Sequence, residues 1–309
     1  MKQGGFAPQG KWTGSPQGGV KAPEAIVLPD PVKRFANTSA RLDTLAAGHP
    51  MEDWLRFMSQ LARGQHAAAA TARSPAITDP STVEQAVEAR MPPLSADGHR
   101  RDPAWRDGLA ALLDNFDTAS APSQARAVAA ELRAADVATV ERLADAFLNG
   151  RLEAAQAGPA LYVAAALQVY FTRMAAGLTV GSLRLLEQRG LCPCCGSTPS
   201  AGFVTATGQT PGARYLYCSL CSTAWNHVRA VCITCGGSRS VALEGIEGDD
   251  GAVRAETCNE CHTYAKMIYQ KQDMKADPFA DDLATLGLDV LVGEAGWSRH
   301  APNPLLLTG

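Results

Sequence analysis

Apolar residues recur at helical spacing through most of the first 190 positions. Met51, Trp54, Leu55, Met58, Leu61 and Ala62 share one face, which predicts an amphipathic helix. Asp102 followed by Pro103 reads as an N-cap with proline at the first helical position, and Trp105, Leu109, Leu112, Leu113 and Phe116 continue on one side. Ser123 opens another helix. Asp136 caps the segment carrying Val137, Val140, Leu143, Ala144, Phe147 and Leu148, and Asn149-Gly150 supplies a left-handed stop. Gly158-Pro159 starts a long apolar helix, expected to run, with a break near Gly177, to Gly190. Before all of these, residues 1–30 are rich in Gly, Pro, Gln and Lys without periodicity and predict a flexible or extended arm. Beyond 190 the pattern changes, and Arg214–Cys218 and Ala252–Cys258 read as strands.

The expectation is therefore an α+β chain. A helical domain over 31–190 is followed by small modules over 191–230 and 231–270, and by an acidic helix and tail over 271–309. The apolar stripes of the helical half are core, because a helix must bury such a face in any fold. His49 and His66 read as surface or capping residues, and His99-Arg100-Arg101 as a solvated basic loop. Asp277-Pro278 and the Asp281-Asp282 pair read as the acidic start of a helix, favoured by the helix dipole.

Composition narrows the function classes. The chain has 309 residues, 46% of them hydrophobic, and a net charge of -3, which excludes a wholly disordered protein and a generally basic nucleic-acid coat. Residues 191–309 carry eight basic and twelve acidic side chains, net -4, against twenty and nineteen before them, net +1. Clustered Lys and Arg, which phosphate binding needs, are thus missing from the second part, and no nucleic-acid partner is expected. The longest apolar stretch, Ala160–Leu178, contains Gln168 and Arg173, so no membrane insertion is expected. The N-terminus has no apolar h-region, and the expected compartment is the cytoplasm.

All nine cysteines fall between Cys192 and Cys261. In a reducing compartment such a cluster favours metal binding over disulfides. Adding 40 to Cys192, Cys195, Cys218 and Cys221 gives Cys232, Cys235, Cys258 and Cys261, and Gly196 maps onto Gly236, Ser200 onto Ser240 and Arg214 onto Arg254. A fixed period means two copies of one structural unit. Each C-x-x-C turn presents two thiolates from one tight loop, so two such turns complete a tetrahedron of four. Glycine after the second cysteine permits positive φ and brings backbone amides near sulfur. Four sulfurs suit either zinc or iron. A thioredoxin-like redox reading of Cys192–Cys195 is weaker, because the motif follows a helix and recurs at period 40. Cys194 has no counterpart, since Thr234 occupies its place; it reads as a spacer thiol, with a ligand swap or an oxidisable neighbour as the alternatives. Tyr215, Tyr217 and Trp225 are expected to pack the ribbon, and His227 and His262 to lie behind the ligands or at the surface. No nucleophile–base motif, phosphate loop or open metal position is evident, so no catalytic residue is expected.

The four knuckles, the run Ala276–Asp289 and the closing Asn303–Leu307 together resemble the FdhE family of formate dehydrogenase accessory proteins. The resemblance is specific from about Gly190 to Leu307. It implies two rubredoxin-like modules, with Cys192, Cys195, Cys218 and Cys221 holding one metal ion and Cys232, Cys235, Cys258 and Cys261 the other, iron being favoured and zinc possible. It further implies a cytoplasmic factor for maturation of respiratory formate dehydrogenase that binds the enzyme's catalytic subunit. The alternatives are a rubredoxin-like one-electron carrier and a zinc-ribbon binding module with purely structural metals.

Overall fold

The computed structural model describes residues 22–116, 121–301 and 303–306. The chain opens with strand β1 (Ile26–Val27) and helices α1 (Pro31–Ala46), α2 (Glu52–Thr71), α3 (Pro80–Glu88), α4 (Ala104–Asp114), α5 (Ser123–Ala134), α6 (Val137–Leu148) and α7 (Ala157–Ala176). Strands β2 (Pro199–Val204), β3 (Arg214–Cys218), β4 (Ala224–Asn226), β5 (Val241–Glu244), β6 (Val253–Cys258) and β7 (Thr263–Tyr269) follow. Helices α8 (Ala280–Ala284) and α9 (Leu286–Glu294) and strand β8 (Ser298–Arg299) complete it. The fold is α+β, a helical N-terminal region followed by a sheet that carries both cysteine repeats. No helix among the described residues is long and apolar enough to cross a membrane.

The caps explain most of the helix starts. Asp136 accepts from the Thr139 amide at 2.6 Å, and Asp102 from Ala104 at 2.8 Å, with Pro103 already helical at φ -49. Asp30 before Pro31 and Asp79 before Pro80 do the same for α1 and α3, helices that the apolar spacing does not single out. His49 braces the turn before α2, its Nδ1 accepting from the amide of Met51, the residue that precedes the helix, at 3.0 Å. α7 runs through the middle of the helical core with Tyr162, Val163, Leu167 and Phe171 buried.

Two expectations need correction and two gain detail. The long helix ends at Ala176 rather than reaching Gly190; past Gly177 comes one 3-10 turn (Val180–Ser182), and 183–190 is an irregular strap. Of the expected flexible or extended arm, residues 1–21 lie outside the described residues, and Ile26 and Val27 are extended, pairing with Trp225 and Ala224 at the sheet edge. The basic loop is only partly solvated: Arg100 is exposed, whereas His99 Nε2 meets the Tyr170 hydroxyl at 3.1 Å and the half-buried Arg101 pairs with Glu141 and Asp145. Asp281 and Asp282 do sit in the first turn of α8, the expected acidic helix start, and are ion-pair partners as well. Arg41 of α1 grips Asp281 at 2.6 Å, and the fully buried Asp282 faces Lys266 at 3.3 Å and also pairs with Arg299; Asp277 supplies the cap, accepting from Phe279 and Ala280.

The two units are fused rather than separate. Strand order is β1-β4-β3-β2-β7-β6-β5, with β8 beside β7, so each unit contributes an antiparallel meander and the units join where β2 lies parallel to β7. At that seam Gly202 faces Met267, and a Cβ on Gly202 would come within 2.4 Å of the Met267 sulfur. Glycine thus leaves the space that the Met267 side chain fills, and a larger residue here would make that side chain move.

Candidate metal centres

Each C-x-x-C turn is held by the same backbone bonds. The Gly196 amide donates to the Cys192 carbonyl at 2.9 Å and the Cys192 amide to Ser197 at 2.9 Å; Gly236 to Cys232 at 3.0 Å and Cys232 to Gly237 at 2.8 Å repeat the pattern. Gly196 and Gly236 have φ +78 and +75, the left-handed conformation that the turn demands. The second turn of each unit places Ser222 (φ +60) and His262 (φ +52) in that region without glycine, a strained position that composition does not reveal.

These turns bring the eight sulfurs into two groups, Cys192, Cys195, Cys218 and Cys221, and Cys232, Cys235, Cys258 and Cys261, with all Sγ atoms in a group within 4.8 Å of one another. In the first group Cys192 meets Cys221 and Cys195 meets Cys218 at 3.4 Å; in the second, Cys232 meets Cys261 at 3.7 Å and Cys235 meets Cys258 at 3.8 Å. These separations exceed a disulfide bond and match the edge of about 3.8 Å of a tetrahedron with metal–sulfur bonds of about 2.3 Å. The donor set and geometry therefore fit a tetrahedral metal ion in each group. Amides of Cys194, Leu220 and Cys221 point at ligand sulfurs at 3.4 Å, and the Thr223 and Thr263 hydroxyls sit 3.2 and 3.1 Å from Cys221 and Cys261. Such contacts orient and stabilise thiolates.

Charge is shared unequally. Burial pushes the Cys192 and Cys218 thiols well up. Burial also opposes ionisation of Cys221, yet hydrogen bonds from the surrounding thiols hold it well below its ordinary range. Cys261 is likewise opposed by burial and brought down to about 7 by the Thr263 hydroxyl and its neighbouring thiols. Cys235, despite the Gly237 amide, and Cys258 are pushed up by desolvation and the neighbouring thiols, so in each cluster one thiol ionises readily and a cation is what would let four thiolates sit together.

The two clusters differ in cover. The helical region clamps the first: the Leu94 and Ala96 amides donate to the Cys194 and Cys195 carbonyls at 2.8 and 2.9 Å, Gln168 of α7 donates to the Ser219 carbonyl at 2.8 Å, and Thr172 meets Ser222 at 3.0 Å. All four ligand cysteines there are buried, and so is Cys194. In the second cluster Cys235 is exposed and Cys261 half-buried. Cys232 and Cys235 line a cleft of about 790 Å³ whose other wall is the strap Leu185–Leu191, with His227 and His300 at its sides. Thr234, the counterpart of Cys194, bonds Thr263 and His300 instead.

Behind the ligands, Trp225 donates to the Arg189 carbonyl at 2.8 Å, and Tyr217 packs edge-on against Phe203 and Phe279, so these aromatics do pack the ribbon. His227 is buried against Arg214 at 3.2 Å, and His262 is exposed. Sequence reasoning did not find the strap, whose contribution to the cleft depends on the early end of α7.

Family models cover nearly the whole chain: FdhE N-terminal matches residues 23–187, the FdhE central domain 191–229 and the FdhE C-terminal domain 230–306. The chain belongs to the FdhE family. It is 39% identical to the FdhE homolog of Pseudomonas aeruginosa over 282 residues, covering 89% of this chain and 90% of that one. With the homolog of Stutzerimonas stutzeri it shares 36% over 277 residues, 89% and 90% of the two chains. The crystal structure of the FdhE protein from Pseudomonas aeruginosa superposes with a TM-score of 0.83 at 37% identity, over 92% of this chain and 99% of that one. The boundaries of the central and C-terminal FdhE regions fall between the two cysteine repeats.

Proposed function

We propose that this FdhE-family chain is a non-catalytic accessory factor for maturation of a respiratory formate dehydrogenase, acting in the cytoplasm by binding that enzyme's catalytic subunit. Cys192, Cys195, Cys218 and Cys221 hold one metal ion and Cys232, Cys235, Cys258 and Cys261 a second, iron being favoured. The modules 191–230 and 231–270 each close their own site, between the helical domain 31–190 and the tail 271–309. The observation that carries this reading is the pairing of two complete four-thiolate clusters with family identity along the chain. Four thiolates fill a tetrahedral centre and leave no position for substrate. What remains for such a centre is to shape a surface or pass an electron.

The test is affinity capture from formate-respiring cells with the intact chain and with Cys-to-Ser variants, together with formate-dependent dye reduction in a deletion strain. Recovery of the catalytic subunit, and inactive but present subunit in the deletion strain, are expected. Full activity in the deletion strain would remove the maturation role. Exposure of Cys235 favours a second reading, a one-electron carrier, because it brings the second centre to the protein surface; that reading requires iron and reversible reduction of the purified chain.

A further inference from the structure

The internal repeat leaves one strand edge without its counterpart. In the first unit the outer edge of β2 is taken by β7 in parallel register, Gly202 with Met267, Phe203 with Ile268 and Val204 with Tyr269. The corresponding strand of the second unit is β5, which ends the sheet, and among the described residues no strand covers its outer edge. The opposite end of the sheet is capped by β1, so the two edges are treated differently.

Backbone alternation shows which groups the open edge offers. The Asn259 amide donates to the Ser240 carbonyl at 3.0 Å, so Ser240, Ala242 and Glu244 turn their peptide groups toward β6. Val241 and Leu243 turn theirs outward. In the first unit the Ser219 amide donates to Thr198 in the same way, and the outward-facing Val204 carbonyl accepts from Gln270, just beyond β7, at 3.1 Å. The two edges are thus alike in polarity, and one of them already takes a parallel strand.

The surroundings define the chemistry of a partner. Leu243 and Ile246 are 46% and 43% exposed, and β5 ends in the exposed Glu244 and runs directly into a loop bearing the exposed carboxylates Glu247, Asp249 and Asp250, with Arg254 beside it. A strand lying parallel to β5 brings its C-terminal end to those carboxylates. Natural edges are blunted by short strands, charge, proline, bulges or cover; β5 is four residues long and carries one charge, Glu244, at its end, but no proline interrupts it.

We infer that the outer edge of β5 docks an extended segment of the client protein as an added parallel strand, apolar at alternate positions and carrying Lys or Arg at its C-terminal end. Main-chain bonds to Val241 and Leu243 hold it, Leu243 and Ile246 contact its apolar side chains, and the acidic loop selects its direction. Val241 pairs with Cys258, so the docked strand lies one strand away from a ligand of the second cluster. In assigning the segment to the client, the inference rests on the function proposed above.

The probe is a fluorescent peptide, Thr-Val-Thr-Val-Thr-Val-Lys-Lys, titrated against the full chain by anisotropy, beside a peptide with its two lysines moved to the N-terminal end. Leu243→Pro removes an outward amide without touching the β5–β6 ladder, and Leu243→Ala keeps that amide. Support is saturable binding at least fivefold tighter for the C-terminal lysines, weakened at least tenfold by Leu243→Pro and less than threefold by Leu243→Ala. Equal binding of the two peptides, or no effect of Leu243→Pro, overturns the inference. So does a wild-type dimer that Leu243→Pro converts to monomer, which would assign the edge to a second copy. With the catalytic subunit as bait, capture by wild type that persists in Leu243→Pro overturns docking while leaving the proposed function standing. Failure of wild type to capture the subunit sinks the proposed function instead, and the peptide arms still decide the edge.

Discussion

The guanidinium of Arg214, on β3 of the first repeat, closes on the carboxylate of Glu256, on β6 of the second, at 2.7 and 2.8 Å to its two oxygens. Both side chains are nearly inaccessible, at 1% and 9%. Arg214 also donates to the Val231 carbonyl at 3.0 Å, on the linker between the units. One arginine therefore fastens the two modules and their connection. Burial lowers the Arg214 pKa and raises that of Glu256, with mutual attraction opposing each shift.

Removing one partner of such a pair leaves the other charge buried and uncompensated. Arg214→Leu is expected to cost about 3–5 kcal/mol, and adding Glu256→Leu to recover part of that loss. Chemical denaturation of the two variants checks this. A double variant less stable than Arg214→Leu would show that the pair is not the relevant unit.

His227 predicts a pH dependence. Burial, then the neighbouring Arg214 charge, lower its pKa from 6.5 to about 4. The unfolded chain therefore binds a proton in this interval and the native chain does not, so the stabilisation is complete above about pH 6.5 and is lost as pH falls toward 4. The shift corresponds to at most about 3 kcal/mol. His227→Gln keeps an acceptor for Arg214 and should flatten this part of the stability curve. An unchanged slope between pH 6.5 and 4 would assign the dependence elsewhere.

The two four-cysteine groups and strands β3 and β6 were legible because their signals are local: fixed spacing, glycine after the knuckle, alternation into the next cysteine. Fusion of the modules was not, since it depends on Gly202 meeting Met267 across 65 positions and on the sulfur seated where a Cβ would go. The repeat match of Arg214 with Arg254 was sound as alignment yet silent about role, because Arg214 is buried on Glu256 while Arg254 lies beside the acidic loop. Asp281 and Asp282 are helix-start residues as their position suggests, but their ion pairs leave no local signal, because the partners Arg41, Lys266 and Arg299 come from distant elements.

Cys194 separates a spare thiol from a ligand. It is buried beside the first cluster, its amide serving Cys192 and its carbonyl serving Leu94, while four other sulfurs already complete the tetrahedron. Cys194→Ser should leave metal content per chain unchanged, and Cys195→Ser should lower it by about one ion and destabilise the first module. Elemental analysis of the two variants decides the register; equal loss in both would move the ligand assignment.

The difference in cover between the clusters predicts a difference in metal release. Cys192, Cys195, Cys218 and Cys221 lie under α7 and the 94–96 segment, whereas Cys235 opens onto the cleft beside the Leu185–Leu191 strap. A chelator must reach a ligand–metal bond, so the second cluster is open to attack in the folded protein and the first requires the helical region to open. Release of metal from the full chain into excess chelator should follow two phases of similar amplitude. The fast phase should be absent in Cys235→Ser, which lacks a complete second site. Added denaturant, below the unfolding midpoint, should accelerate the slow phase much more than the fast one, because only the slow phase includes an opening step that exposes new surface. Single-phase release, or a fast phase that survives in Cys235→Ser, would mean that burial of the ligands does not control access to these centres.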